Sequence, residues 1–223
     1  MKSYSVFDIL GPVMIGPSSS HTAGAARLGK VARLIVGDNI KRVTFYLHGS
    51  FAKTYRGHGT DKALVGGILG FDTDDPRIRN SFDIAKKEGI EFEFVETDLG
   101  DVHPNTVKMK IEMNDDNLHE IMGSSIGGGT IVITEIDGLR LEFTGNYPTL
   151  ITKHKDRPGI IAEVTNILKD YNVNIAFMKV FRQNRGELAS MILETDEIIP
   201  KEALERIKPI RDIYVVKVLD SIK

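Results

Sequence analysis

Hydrophobic and polar positions follow their clearest pattern in the last third of the chain. Apolar residues alternate from Thr149 to His154, which predicts a strand. Ile160, Ile161, Val164, Ile167 and Leu168 then recur at helical spacing, to about Tyr171. Between them Asp156-Arg157-Pro158-Gly159 reads as a turn, with Asp156 as helix N-cap and Pro158 in the first turn. Alternation returns from Asn174 to Phe181 and from Glu187 to Glu194, with Asn184-Arg185-Gly186 as the hairpin turn. A short amphipathic helix over Ala203–Ile207 and a strand over Ile213–Leu219 complete the order βαββαβ, a ferredoxin-like arrangement.

Towards the N-terminus the periods are shorter and turns more frequent. Leu28, Val31, Ala32 and Ile35 form the inner stripe of a helix over Ala23–Val36. Strands are expected within Asn39–Leu47, over Glu91–Val95 and over Val107–Met113, and a hairpin joins Gly129–Glu135 to Leu139–Thr144 about Asp137-Gly138. Helices are expected over Thr60–Leu69, capped by Thr60 or Asp61, and over Pro76–Gly89. The change of pattern near Gly145-Asn146-Tyr147-Pro148 divides the chain into residues 1–145, an α/β domain, and residues 146–223, the ferredoxin-like domain; the class as a whole is α+β.

Composition narrows the functional classes. In 223 residues the net charge is -2 and Lys and Arg are scattered, so neither nucleic acid nor a membrane is an expected partner. The first sixteen residues lack the apolar core of a signal peptide, and the expected location is the cytoplasm. With no cysteine, the chain has no disulfide, no thiolate nucleophile and no thiolate metal ligand, and an iron–sulfur cluster would have to be anchored on another chain.

The chemistry gathers at turns. Gly16-Pro17-Ser18-Ser19-Ser20-His21-Thr22 sets four hydroxyls and an imidazole just ahead of the expected first helix, where free N–H groups favour a carboxylate or phosphate. One N-cap needs one hydroxyl, so the surplus points to a small polar ligand. Similar residues recur at His48-Gly49-Ser50, at Gly57-His58-Gly59-Thr60-Asp61, at His103-Pro104-Asn105-Thr106 and at Ser124-Ser125-Ile126-Gly127-Gly128-Gly129. Taken singly, each histidine is equally a turn residue in solvent, and the glycine run is either a flexible loop or a backbone nest for an anion.

Together, GPSSSHT, HGSFAKTYRGHGTDKAL, HPNT and SSIGGG resemble the iron–sulfur-dependent L-serine dehydratases, and Phe51 and Tyr55 within the second motif are similar to the two-chain branch. The resemblance implies a β subunit whose α partner carries a [4Fe-4S] cluster, a lyase reaction from L-serine to pyruvate and ammonia, and no pyridoxal phosphate. It implies His21 as the base, with His58 as second choice or orienting partner. Ser18, Ser19, Ser20 and Thr22 would hold the substrate's carboxylate and ammonium. His48, Gly49, Ser50, Thr60, Asp61, His103, Asn105, Ser124, Ser125, Gly127 and Gly128 would line the site. The C-terminal strand, Asp-Arg-Pro-Gly turn and helix, with Asn174-Ile175 beyond, resemble an ACT domain. That implies self-association and an amino-acid effector, L-serine, at Asp156, Pro158, Gly159 and Asn174. A second reading is a noncatalytic serine sensor, because a similar domain beside an ACT domain serves as a regulatory module in some phosphoglycerate dehydrogenases.

Overall fold

The computed structural model describes residues 13–182 and 184–222. Residues 1–12, most of the stretch read as lacking a signal peptide, lie outside the described residues. The chain forms two compact units, residues 1–138 and 139–223. Among the described residues no helix is long and apolar enough to cross a membrane.

The first unit starts with a wide π turn, Ser19–Ala23, that runs directly into α1, Gly24–Val36. β1 (Ile40–Leu47), α2 (Gly49–His58) and α3 (Thr60–Ile68) follow. A 3-10 turn, Pro76–Asn80, leads into α4, Ser81–Lys87, which ends with Gly89 in the left-handed region at φ 76°. β2 (Glu91–Glu96), β3 (Thr106–Met113), β4 (Leu118–Gly127) and β5 (Thr130–Ile136) complete the unit. The strands run in the order β2-β1-β3-β4-β5. β1 lies parallel to β2, with Val43 opposite Phe92, and antiparallel to β3, with Val43 opposite Ile111. Leu28, Phe45, Leu47, Phe51, Leu64, Met109, Ile121 and Ile133 are fully buried between sheet and helices.

Two glycines set the distance between α1 and α3. A Cβ on Gly67 would lie 2.1 Å from the Ala26 carbonyl oxygen, and one on Gly29 would lie 2.4 Å from that of Leu64. The two backbones therefore touch, which only residues without a Cβ allow. This contact holds the start of α1 beside the junction of α2 and α3, where the candidate residues lie.

The second unit opens with β6, Leu139–Phe143, which follows β5 through Asp137 and Gly138, at φ 51° and 73°. β7 (Thr149–Lys155), α5 (Ile160–Asp170), β8 (Ile175–Arg182), β9 (Leu188–Thr195), α6 (Lys201–Ile207) and β10 (Ile213–Leu219) give the βαββαβ order expected. The sheet runs β10-β7-β9-β8, all antiparallel. Leu150, Met191 and Leu193 meet Val164, Leu168, Ala203 and Ile207 in its core. Within this unit Ser190 Oγ donates to the Arg140 carbonyl of β6 at 2.8 Å, and Thr144 Oγ1 donates to Glu194 at 3.0 Å.

Several local expectations are corrected. Ser20, His21 and Thr22 lie inside the first helical turn, because Ser18 is the cap: its Oγ accepts the His21 N–H at 3.2 Å. Thr60 and Asp61 do not cap α3, whose N-cap is Gly59 at φ 69°. Asp156 does not cap α5 either; Gly159 takes that position at φ 89°, and Asp156 instead accepts from Gly186 N–H at 3.0 Å. Ser124 and Ser125 are strand residues of β4, and α2 spans a segment read only as turns.

Candidate functional site

The π turn and α2 meet at His21. The π turn carries the imidazole into the unit, and hydroxyls bracket both ring nitrogens. Nδ1 lies 3.0 Å from Ser20 Oγ and 3.4 Å from Ser18 Oγ; Nε2 lies 3.0 Å from Ser50 Oγ. Ser50 is in the first turn of α2, and its N–H donates to the Pro104 carbonyl at 2.8 Å. That close approach depends on Gly49, at φ 58°, where a Cβ would lie 2.7 Å from the same oxygen. The His103–Asn105 loop is thereby tied to the start of α2.

The last residue of α2, His58, places its ring centroid 4.8 Å from that of His21. Phe51, the residue after Ser50, meets His21 edge-on at 5.4 Å. Thr22 Oγ1 donates to the His58 carbonyl at 3.2 Å, so the π turn and the end of α2 are bonded directly. Burial lowers the pKa of His21 below the usual histidine value, and the proximity of His58 lowers it further. Both effects favour the neutral imidazole. His58 Nδ1 is buried without a hydrogen-bond partner among the described residues.

A cavity of about 330 Å³ is lined by His58 together with Gly16, Thr22, Arg56, Gly59, Asp61 and Lys62, among others. Asp61 is buried; burial raises its pKa, and the Lys62 N–H, at 2.8 Å, partly offsets the rise. Thr60 Oγ1 is buried with no partner among the described residues.

On the sheet side, Ser124 Oγ and Thr106 Oγ1 are bonded at 2.7 Å. Ser125 N–H donates to the Asn105 carbonyl at 3.0 Å, and Asn105 Nδ2 reaches the Ser125 carbonyl at 3.4 Å. Gly127, Gly128 and Gly129, at φ 110°, 61° and 80°, make the turn between β4 and β5.

Some candidates stand apart from His21. His48 Nδ1 accepts the Leu99 N–H at 3.1 Å and lies 3.5 Å from Asp98, so its ring organises the loop after β2. His103 is exposed, and its Nδ1 accepts the Asn105 N–H at 3.1 Å. Sequence reasoning missed Phe51 as a wall of the site; the buried pair Phe51 and Tyr55, four residues apart, is the helical signal that marks it.

In the second unit the candidate effector residues are divided. Asp156, Pro158 and Gly159 lie in the loop after β7, where Arg157 pairs with Asp212 at 2.9 Å and Glu163 at 2.8 Å. Asn174 lies at the opposite end of the unit, its Nδ2 on Asp196 at 2.6 Å.

Comparison with known proteins bears on both units. The family model described as the serine dehydratase beta chain matches residues 5–88, and that of the ACT domain matches residues 149–212. The chain is 48% identical over 221 residues to the probable L-serine dehydratase, beta chain, of Bacillus subtilis (strain 168), covering 99% of this chain and 100% of that one. It is 44% identical over 198 residues to the L-serine dehydratase, beta chain, of Peptoniphilus asaccharolyticus, covering 88% and 89%. The D-3-phosphoglycerate dehydrogenase of Methanocaldococcus jannaschii is 31% identical over 201 residues, which cover 88% of this chain and 37% of that enzyme.

Proposed function

This chain belongs to the L-serine dehydratase beta chain family, and on that premise we propose that His21 is the base of an L-serine ammonia-lyase completed by an α subunit. The observation that carries the proposal is an imidazole held neutral by burial and by a second histidine, with hydroxyls at both ring nitrogens. With Nδ1–H donating to Ser20 Oγ, Nε2 keeps its lone pair beside Ser50 and takes the α-proton of the substrate. The β-hydroxyl leaves as water, giving the enamine, which tautomerises to the imine and is hydrolysed to pyruvate and ammonia. Ser18, Ser19, Ser20 and Thr22, around the start of the helix, are further hydrogen-bonding partners for the substrate's polar groups.

The [4Fe-4S] cluster is assigned to the α subunit. This chain has no cysteine to hold one. Its own part is to bind, orient and deprotonate.

The test is anaerobic reconstitution. Pyruvate formation is measured with each chain alone and with both, and only the mixture is expected to turn over L-serine. Full activity from this chain alone, or none from the correctly assembled pair, overturns the reading. The match to a phosphoglycerate dehydrogenase over most of this chain favours a second reading, a noncatalytic serine sensor. L-serine binding by this chain with no pyruvate from the pair would establish the sensor.

For the second unit we propose self-association through β8. β8 is an edge strand, and Phe177, Met178 and Val180 are exposed on it. Such an edge is a template for a second strand. Two-fold antiparallel pairing brings the start of β8 in one copy, beside Asn174, towards Arg182 at its end in the other. Arg182 pairs with Asp156 at 3.4 Å. The divided effector residues then meet across the interface, and L-serine is the proposed ligand.

A further inference from the structure

Arg27 lies on α1 one turn beyond Gly24, half-buried. Its Nη1 donates to the Gly129 carbonyl at 3.2 Å, while its Nε is buried with no partner among the described residues. Burial lowers its pKa. A guanidinium taken out of water is costly unless an anion meets it.

Its surroundings are unusual in the same way. α1 lies against the end of the β4–β5 hairpin so closely that a Cβ on Gly24 would lie 2.1 Å from Ser125 Oγ. Ser125 Oγ is itself buried without a partner among the described residues, as is Oδ1 of Asn105, which is bonded to the Ser125 backbone. A guanidinium N–H, a hydroxyl and an amide oxygen are thus left unsatisfied around one contact between helix and hairpin. A donor pair and an acceptor are what an α-amino acid requires, the donors for its carboxylate and the acceptor for its ammonium.

We propose that Arg27 receives the α-carboxylate of L-serine beside Gly129, with Ser125 Oγ as second donor and Asn105 Oδ1 facing the ammonium. This rests on the dehydratase reading and deepens it: Arg27 makes the site selective for a free α-carboxylate.

The reconstituted two-chain enzyme is compared with its Arg27→Met and Arg27→Lys variants, using L-serine and L-serine methyl ester, which lacks the carboxylate charge. Arg27→Met is expected to raise KM for L-serine by about 10²-fold, with a smaller change in kcat, because a charged partner is left unpaired. It is also expected to abolish the preference for L-serine over the ester in equilibrium binding. Arg27→Lys, which keeps the charge but not the bidentate fork, is expected to raise KM by about 10-fold, and it serves as the test where Arg27→Met does not fold. Unchanged KM and unchanged ester discrimination in a folded variant overturn the proposal. So does loss of co-elution with the α chain that Arg27→Lys restores, which would make Arg27 an interface residue. If the wild-type pair forms no pyruvate, the dehydratase reading fails by itself. Calorimetry with L-serine then still decides Arg27: lost binding in Arg27→Met supports the carboxylate contact, and equal binding overturns it.

Discussion

At the scale of single residues, the arrangement around His21 makes its protonation state the variable that matters. His21→Ala is expected to reduce turnover by about 10²–10⁴-fold, the usual loss on removing a general base. Exchange of the substrate α-proton with solvent should fall in parallel, and undiminished exchange moves the role to His58. The sign of the pH effect follows from the two causes that lower the His21 pKa. The base works when unprotonated, so activity is lost as pH falls through its pKa, below the ordinary value of 6.5. His58→Gln removes the neighbouring imidazole that helps lower the His21 pKa, so the acid limb of kcat/KM should move to higher pH. A limb that stays in place would show that His58 does not act on His21 electrostatically. His154 lies buried beneath the helices of the second unit, bonded to Thr152 at 3.1 Å, and burial lowers its pKa as well. The unfolded chain therefore binds a proton that the folded unit resists. Stability should be complete above 6.5, fall as pH drops below it, and stop falling below the folded-state pKa. Thermal melts of wild type and His154→Gln across that window measure it, and identical pH slopes would contradict the assignment.

At the scale of elements, the α1–α3 contact is the part on which the site geometry depends. Gly67→Val places a methyl-bearing carbon against the Ala26 carbonyl, and overpacking of this kind costs about 1–3 kcal/mol or more. The variant should lower the thermal midpoint and weaken turnover together, since the displaced α1 carries His21 with it. Full activity in a destabilised Gly67→Val protein would show that the site is indifferent to the helix spacing. The elements of the second unit were readable because its strands and helix keep strict periods of two and 3.6 over one continuous stretch. α2 was not readable as a helix: its only buried pair is Phe51 and Tyr55, and glycine lies at both of its ends. β4 was missed because its last residues are small and polar, and their burial is decided by β3, β5 and α1 rather than by their own hydrophobicity.

At the scale of the whole molecule, the exposed apolar side chains of β8 carry the expectation of a dimer. Met178→Lys should shift sedimentation to the monomer while leaving the fold of each unit intact, as read from circular dichroism, and should weaken L-serine binding at the second unit. A variant that remains dimeric places the interface elsewhere, with Tyr214 and Val215 on the opposite edge strand as the next surface.

The sequence alone determined the things that depend on local pattern and residue type. These include the βαββαβ order, the absence of thiolate ligands, and the clustering of Ser, His and Gly into a few motifs whose joint resemblance identified the family. Tertiary structure decided which of those motif residues meet. Ser50 reaches His21 because Gly49 lets the chain pass against Pro104, and His58 reaches it because α2 returns to the π turn through Thr22. His48 and His103, equal candidates by sequence, turn to their own loops instead. Arg27 carried no signal in the sequence, where it reads as one more charge on an amphipathic helix. Only its burial against Gly129 leaves its Nε without a partner among the described residues, because pairing and desolvation are properties of the folded surroundings rather than of the residue.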